Sequence, residues 1–224
     1  MKKVIISISI IIMLLIMVIG IPFINLACKT NEIYNDFSSI YDNDKYEDAV
    51  MIENIDVVDQ QVSCGYAVME MFAKYIGSDL TEQSLFDEYG KVVTSTGKSF
   101  EKEMNKQFSN YHTTMYKYLR NTELIDKVYT SLSEGMPVPI EWAAKLDDEW
   151  TLHYSLVVGM DVKKDKVTIL NPYNYVESIT IEEFLMRTSF KAFDKMPALY
   201  SFGFAFGAFD KNTVFIVEPM IRDK

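Results

Sequence analysis

The chain begins with a long run of apolar residues that carries no charge. Lys2 and Lys3 are followed by eighteen uncharged residues, from Val4 to Ile21. As a helix this segment is about 27 Å long, close to the hydrocarbon thickness of a bilayer. The pattern predicts a membrane anchor or a signal sequence in residues 1–27. The two lysines favour an extracytoplasmic location for everything that follows.

The next segment, residues 28–51, has no sustained apolar period and is rich in acidic side chains. We therefore expect an acidic, solvated stalk. Cys28 follows Leu26 and Ala27, as in the sites at which bacterial lipoproteins are cleaved and lipidated, but Asn25 replaces the aliphatic residue typical of such sites. A single-pass, uncleaved anchor in the cell membrane is the favoured interpretation, and a secreted or lipid-anchored form is the alternative.

Helical periodicity dominates the first part of residues 52–224. The clearest helix begins at Cys64 and ends before Gly77, because apolar residues recur every three or four positions between them. Three further helices are predicted, over Thr81–Tyr89, Ser99–Asn110 and Thr122–Ser133.

The second part changes to a pattern typical of strands. Strands are predicted over Val138–Trp142, Tyr154–Met160 and Lys166–Leu170. Thr180 and Glu183 have the spacing of a capping box at a helix start. The aromatic run Leu199–Phe209 and the segment Val214–Val217 are predicted as the last two strands. Helices followed by an antiparallel sheet predict a single α+β domain.

Composition excludes several classes of protein. The formal net charge is −10, so we expect no basic surface for nucleic acid. The chain has two cysteines and two histidines, too few for a disulfide scaffold or a thiolate zinc site, and we expect neither a metal nor another cofactor. The small number of cysteines and histidines makes each one a candidate that has to be considered singly.

Cys64 is the first candidate for chemistry because it lies at a predicted helix start. Backbone N–H groups and the helix dipole stabilise a thiolate there, so we expect an activated thiol. His153 opens one predicted strand and Asn171 closes the next, with the charged turn Lys163–Asp165 between them. A hairpin brings these two ends together, within a shift of register that a bulge can absorb.

A glutamine just ahead of Cys64 adds a fourth element. The side-chain amide of Gln60, or alternatively of Gln61, can act with the Cys64 backbone N–H as a donor to an oxyanion. Thiol, imidazole, orienting amide and oxyanion donor are the groups that nucleophilic cysteine catalysis requires.

Four segments that contain these residues follow one another in a familiar order: Gln60–Ala67, Gly135–Val138, His153–Gly159 and Asn171–Tyr173. Over residues 52–217 the chain resembles the bacteriocin-leader-processing, or double-glycine, cysteine peptidases of bacteria. The resemblance implies a papain-like fold and a peptide or protein substrate. It also implies Cys64 as nucleophile, His153 as base, Asn171 as the orienting residue and a preceding glutamine at the oxyanion hole.

The sequence departs from that family in three respects. The oxyanion glutamine of the family stands further ahead of its cysteine than Gln60 or Gln61 does here. Exporter-linked members more often have aspartate where this chain has Asn171. Those members act in the cytosol, whereas the domain of this chain is expected to face outward, so cleavage of leader peptides does not simply carry over.

Other conspicuous residues are interpreted as structural. His112 lies in a polar stretch predicted as helical and is interpreted as a surface histidine. Trp142 and Trp150 flank the segment that leads to His153 and could line a substrate groove, although packing is the more common role of such residues. The charge run 147–149 is interpreted as a solvated loop.

The sequence thus favours a membrane-anchored, extracytoplasmic cysteine peptidase that works through an acyl-enzyme at Cys64. Two alternatives remain open at this point. An acyl or peptidyl transferase would resolve the same thioester with an amine instead of water. A non-catalytic peptide-binding or immunity-type module would keep the fold without the chemistry.

Overall fold

The computed structural model describes residues 2–220. Its helices are α1 (Lys2–Ile33), α2 (Cys64–Ile76), α3 (Glu82–Tyr89), α4 (Gly97–Gln107), α5 (Asn121–Ser133), α6 (Ile181–Thr188) and α7 (Ala198–Ala205). Its strands are β1 (Val50–Met51), β2 (Tyr111–Tyr116), β3 (Val138–Leu146), β4 (Glu149–Asp161), β5 (Lys166–Asn171), β6 (Tyr175–Ile179) and β7 (Thr213–Pro219).

The strands form one antiparallel sheet in the order β2-β7-β3-β4-β5-β6, with β1 pairing to β4. The last strand in sequence, β7, therefore lies between β2 and β3. Strands β3, β4 and β5 were predicted and follow one another in the sheet, and the predicted strand Val214–Val217 lies within β7. The α+β fold class is confirmed.

Helices cover both faces of the sheet. In β4, Leu156 and Val158 pack with α2, whereas Val157 between them packs with α5 and α6 on the other face. This alternation is the ordinary consequence of side chains pointing to opposite faces of a strand. The sheet is a central layer, and the start of α2 is held against β4.

The prediction of a strand over Leu199–Phe209 was wrong, because this segment contains helix α7. Aromatic residues favoured a strand at the sequence level. However, Pro197 precedes the helix as its N-cap, and a β-carbon on Gly203 would stand 2.4 Å from the ring of Phe209. The close approach of that ring to the helix backbone holds a compact helical turn.

Strands β2 and β6 were not predicted. His112 lies on β2 and not on a helix, and its exposed side chain agrees with the interpretation of a surface residue. The predicted helix Ser99–Asn110 is present as α4 but ends at Gln107. The chain reverses after Phe108, and the polar residues that follow form β2 at the edge of the sheet.

The expectation of a solvated stalk over residues 28–51 was wrong for three side chains, of which one, Ile33, is the last residue of α1. Ile40 and Tyr46 are buried in the core that α5 and α6 form with the sheet. The Tyr46 hydroxyl donates a hydrogen bond of 2.8 Å to Asp126. These residues lie in short 3₁₀ turns, which bury single side chains without the apolar period of a long helix.

The predicted membrane segment, residues 4–21, lies inside α1, which continues to Ile33. Among the described residues, Ile16–Ile40 is the one candidate membrane span by length and composition. The C-terminal part of α1 also contacts the domain, since the Phe23 ring packs edge-on against Phe202 of α7 with 5.4 Å between ring centroids.

A buried carboxyl group in β3 gives a prediction for stability. Glu141 is fully buried, and neither of its carboxyl oxygens has a hydrogen-bond partner within residues 2–220. Burial, together with the negative charge of Asp210, raises its pKa to about 8. In the unfolded chain this carboxyl group loses its proton near pH 4.5. Between pH 4.5 and about pH 8 the folded chain therefore binds one proton that the unfolded chain has released, and the free energy of unfolding falls as the pH rises.

We therefore expect Glu141→Gln to raise the free energy of unfolding at pH 8 by a few kcal/mol, on the order of the pKa shift, and to change it little at pH 5. Urea unfolding of the full chain at both pH values measures this difference. Glu149→Gln, at an exposed position on β4, is the control and should behave the same at both. An equal effect of Glu141→Gln at pH 5 and pH 8 would contradict the prediction.

Candidate active site

Cys64 is the first residue of α2, as the sequence predicts. Ser63 caps the helix, and its hydroxyl accepts a hydrogen bond of 3.2 Å from the Tyr66 N–H. A β-carbon on Gly65 would stand 2.4 Å from the hydroxyl of Thr94, so only glycine lets the helix start lie this close to the neighbouring segment. The thiol is free and partly buried.

The loop before Cys64 is fixed by a carboxylate from another helix. Glu82, at the start of α3, is 4% exposed, and its two oxygens accept hydrogen bonds from three consecutive backbone N–H groups. The donors are Gln61 at 2.8 Å, Val62 at 2.8 Å and Ser63 at 2.6 Å. Such charge-assisted bonds fix the backbone up to the residue that precedes the nucleophile. Sequence reasoning missed Glu82.

His153 and Asn171 meet across the β4–β5 hairpin. The His153 Nε2 atom lies 3.0 Å from the Asn171 Oδ1 atom, and both side chains are buried. The register pairs Leu156 with Leu170 and shifts between Val157 and Gly159. The predicted convergence of these two residues, including the bulge that allows it, is present.

A second carboxylate determines the orientation of the Asn171 amide. Its Nδ2 atom donates to Glu177 at 2.6 Å and to the Tyr175 hydroxyl at 3.1 Å. Since a carboxylate only accepts, the amide nitrogen must face Glu177 and the amide oxygen must face His153. His153 therefore carries its proton on Nε2, which leaves Nδ1 free to accept one.

Arg187 of α6 completes this buried chain of contacts. It forms an ion pair with Glu177, its Nε donates to the Ala143 carbonyl at 2.8 Å, and its guanidinium lies 3.6 Å from the ring centroid of Trp142. Trp142 is fully buried, so it does not line a groove. Trp150 is only partly buried and borders a surface pocket beside Arg187.

Tyr173 packs against the imidazole of His153 and lies near the thiol of Cys64. Its ring stacks on His153 with 4.1 Å between centroids, and its backbone N–H donates to the Asn171 Oδ1 atom at 3.0 Å. The pKa of Tyr173 is raised mainly by burial and also by the nearby Cys64. The thiol itself lies next to the backbone N–H of Tyr154, the residue after His153. The thiol therefore lies near the part of β4 that carries His153.

Burial disfavours the charged form of both groups. It raises the pKa of the Cys64 thiol, and the lowering effect of the backbone N–H groups at the helix start is smaller. It lowers the pKa of His153 to about 3, against the opposing effect of the Asn171 hydrogen bond. The direction of the Cys64 shift runs against the expected thiolate at the helix start, because removal of water costs the charged form more than the backbone N–H groups stabilise it.

The two candidate oxyanion donors occupy different environments. The Gln60 backbone N–H donates to the Pro172 carbonyl at 2.9 Å, which places this residue beside Asn171. Its side-chain Oε1 is buried without a partner among the described residues. Gln61 is exposed, and its side chain donates to the Asp59 carbonyl at 3.2 Å. Gln60 is thus the candidate whose backbone lies next to Asn171, and Gln61 is at the surface.

The residues that the structure describes contain no cluster of three or more His, Cys, Asp or Glu that could hold a metal ion. A thiol at a helix start and a buried pair of imidazole and amide are the kinds of group that acyl transfer through a thiol uses. Residues 52–198 match the sequence profile of the Peptidase_C39 like family. The chain belongs to this family. It is therefore a cysteine peptidase. The segment of this peptidase that matches the family begins just after β1 and ends at the start of α7.

One solved structure similar to this C39-like peptidase is a double glycine motif protease from an AMS/PCAT transporter, crystallised in complex with the leader peptide. The two share 15% identity and a TM-score of 0.49, and the match covers 76% of this chain and 95% of that chain. No curated protein matches the peptidase.

Proposed function

We propose that this C39-like peptidase is anchored in the cytoplasmic membrane by α1 and hydrolyses peptide bonds on the outer side. Cys64 is the nucleophile, His153 the base, Asn171 the orienting residue and Gln60 the oxyanion donor. The observation that carries the proposal is the buried hydrogen bond between His153 Nε2 and Asn171 Oδ1, beside a thiol at a helix start. A surface histidine and a turn asparagine have no reason to be fixed in this way.

The chemistry follows from the protonation states. Because Cys64 rests as a thiol and His153 as a neutral imidazole, the proton moves from Sγ to Nδ1 as sulfur attacks the substrate carbonyl. The Cys64 N–H and the Gln60 amide stabilise the oxyanion that forms. His153 then donates the proton to the departing amine, which leaves a thioester on Cys64. Water, deprotonated by the same imidazole, hydrolyses the thioester and restores the thiol.

The Gln60 contribution requires its amide nitrogen to face the cleft. The buried Oε1 of Gln60 has no partner in the described part of the chain, and the assignment of oxygen and nitrogen in an amide follows from its contacts. Rotation of the amide by half a turn directs the nitrogen to the position of the unpartnered oxygen. In that orientation a substrate oxyanion is its acceptor.

Membrane anchoring rests on the length and composition of α1, and the outer location rests on Lys2 and Lys3 ahead of the apolar segment. Residues 28–51 lead from the anchor to the catalytic domain, residues 52–224. A domain held this way meets substrates close to the membrane. Its substrate is a peptide or a protein segment that can extend into a cleft between α2 and the β4–β5 hairpin.

Intact cells that produce the full chain should cleave added peptides at sites that are not cut when the chain carries His153→Ala. Mass spectrometry of a defined peptide library, before and after permeabilisation of the cells, measures both location and activity. The His153→Ala chain is also the control for proteases of the host. Cleavage only after permeabilisation would contradict the outer location. Equal cleavage by both chains under either condition would contradict the catalytic site.

A further inference from the structure

Helix α7 presents an apolar face to solvent. Leu199, Phe202 and Phe206 follow one another at spacings of three and four residues and therefore share one side of the helix. Their exposed fractions are 77%, 46% and 54%, whereas Phe204 on the opposite side is 3% exposed. The Phe202 and Phe206 rings stack on each other, with 6.1 Å between centroids. A contiguous exposed patch of this kind marks an interaction surface.

The same helix lies against the part of α1 that leaves the predicted membrane segment. Phe23, which packs on Phe202, is only two residues beyond Ile21, a rise of about 3 Å along a helix. Leu26 packs on the small core that contains Phe204. The uncharged run continues to Cys28 and the candidate span Ile16–Ile40 includes Phe23, so this contact places the α7 face beside the apolar part of the anchor.

The charge around this face suits a membrane surface. From Lys195 to Phe209 the sequence has no acidic residue, although the chain as a whole carries a formal net charge of −10. Lys191 and Lys195 are exposed just ahead of α7, with one exposed acidic residue, Asp194, between them. Aromatic residues at the boundary and lysines beside them are the composition of helices that lie in the membrane interface.

Helix α7 also borders the active site. Tyr200 lies close enough to Tyr173 to contribute to its raised pKa, and Tyr173 stacks on His153. Trp150 and Leu152, in the strand that carries His153, pack on the same small core as Phe204. The helix thus lies between the anchor and the catalytic base.

We propose that Leu199, Phe202 and Phe206 insert into the bilayer leaflet on the side of the domain, and that this contact holds the cleft at the membrane surface. The substrate is then the membrane-proximal segment of a polypeptide that is itself bound to the membrane. This inference rests on the membrane anchor of the proposed function. It adds a second contact, which restricts how far the cleft can turn away from the lipid.

The full chain in phosphatidylcholine vesicles brominated on the acyl chains tests the insertion. We expect the fluorescence that Phe206→Trp adds in vesicles without bromine to fall by about half in the brominated vesicles. The control is Val176→Trp, on β6 and 58% exposed, which should add fluorescence that bromine does not quench. Quenching of the unmodified chain, with Trp142 and Trp150, gives the background for both.

Extraction of the vesicles with alkaline carbonate separates this inference from the anchor. A chain that stays with the lipid, but in which Phe206→Trp is quenched no more than Val176→Trp, overturns the inference while the anchor stands. Cross-links between copies through position 206 without quenching also overturn it. Loss of the chain from the lipid overturns the anchor and the inference together.

The consequence for substrates is tested with the combined variant Leu199→Ser, Phe202→Ser and Phe206→Ser. A peptide cleaved in the library experiment is compared with the same peptide carrying a palmitoyl chain in vesicles. Cleavage of the soluble peptide should be unchanged, and cleavage of the lipid-bound peptide should fall about tenfold. An equal effect on both peptides overturns the role in substrate selection.

Discussion

Replacing Cys64 with alanine is expected to lower the rate of peptide cleavage by roughly 10⁶-fold, the loss found when the nucleophile of a catalytic triad is removed. The thiol is the group that forms the covalent bond to the substrate, and no other group in the cleft can replace it. Cleavage of a defined peptide, followed by mass spectrometry of the products, measures the rate. Peptide binding should persist, because only one sulfur atom is lost.

Labelling separates the role of the thiol from a general effect on folding. A peptidyl vinyl sulfone should add one mass increment to the unmodified chain and none to the Cys64→Ala chain. The matched control is Cys28→Ser, which removes the other, exposed thiol and should leave both cleavage and labelling unchanged. Cleavage that survives in Cys64→Ala, or that disappears in Cys28→Ser, would assign the chemistry elsewhere.

Glu82→Gln is expected to affect both stability and activity, although Glu82 touches no substrate. The carboxylate accepts three backbone hydrogen bonds with two oxygens, whereas an amide offers one oxygen and turns an N–H₂ group toward N–H donors. Leaving a buried donor unsatisfied costs about 1–3 kcal/mol. We expect a loss of about 3 kcal/mol in the free energy of unfolding and a drop of about tenfold or more in kcat.

Urea unfolding and steady-state kinetics of the full chain measure these two effects. Glu88→Gln, on the same helix, is the control because its ion pair with Lys106 is exposed to solvent and contributes little to stability. If Glu82 acts through the position of Cys64, the substitution lowers kcat more than it raises KM. Equal losses in both variants would show that the loop does not depend on this carboxylate.

The sequence was sufficient to predict the parts of the site that depend on local patterns. The start of α2 at Cys64 follows from the apolar spacing behind it and from Gly77 at its end. The meeting of His153 and Asn171 follows from two strands on either side of a short charged turn. Helix starts and hairpins are determined by neighbouring residues, so a single sequence contains most of what specifies them.

Residues whose role depends on distant contacts could not be predicted in this way. Glu82 resembles an ordinary acidic residue in the first turn of a helix, and only the tertiary fold brings it under the loop before Cys64. Glu177 likewise lies on a short edge strand that the sequence does not reveal. The resting protonation of Cys64 and His153 was equally inaccessible, since it depends on how completely the fold removes water from both.

The position of β7 has a consequence for how the enzyme is made. A chain emerges from the ribosome with its amino terminus first, so Cys64 is available long before Thr213–Pro219 has been synthesised. Yet β7 fills the place between β2 and β3, and the sheet that carries His153 is not closed until it arrives. Contacts between such distant parts of a chain form late in folding. A nascent chain that has not reached β7 therefore carries the thiol beside an incomplete sheet.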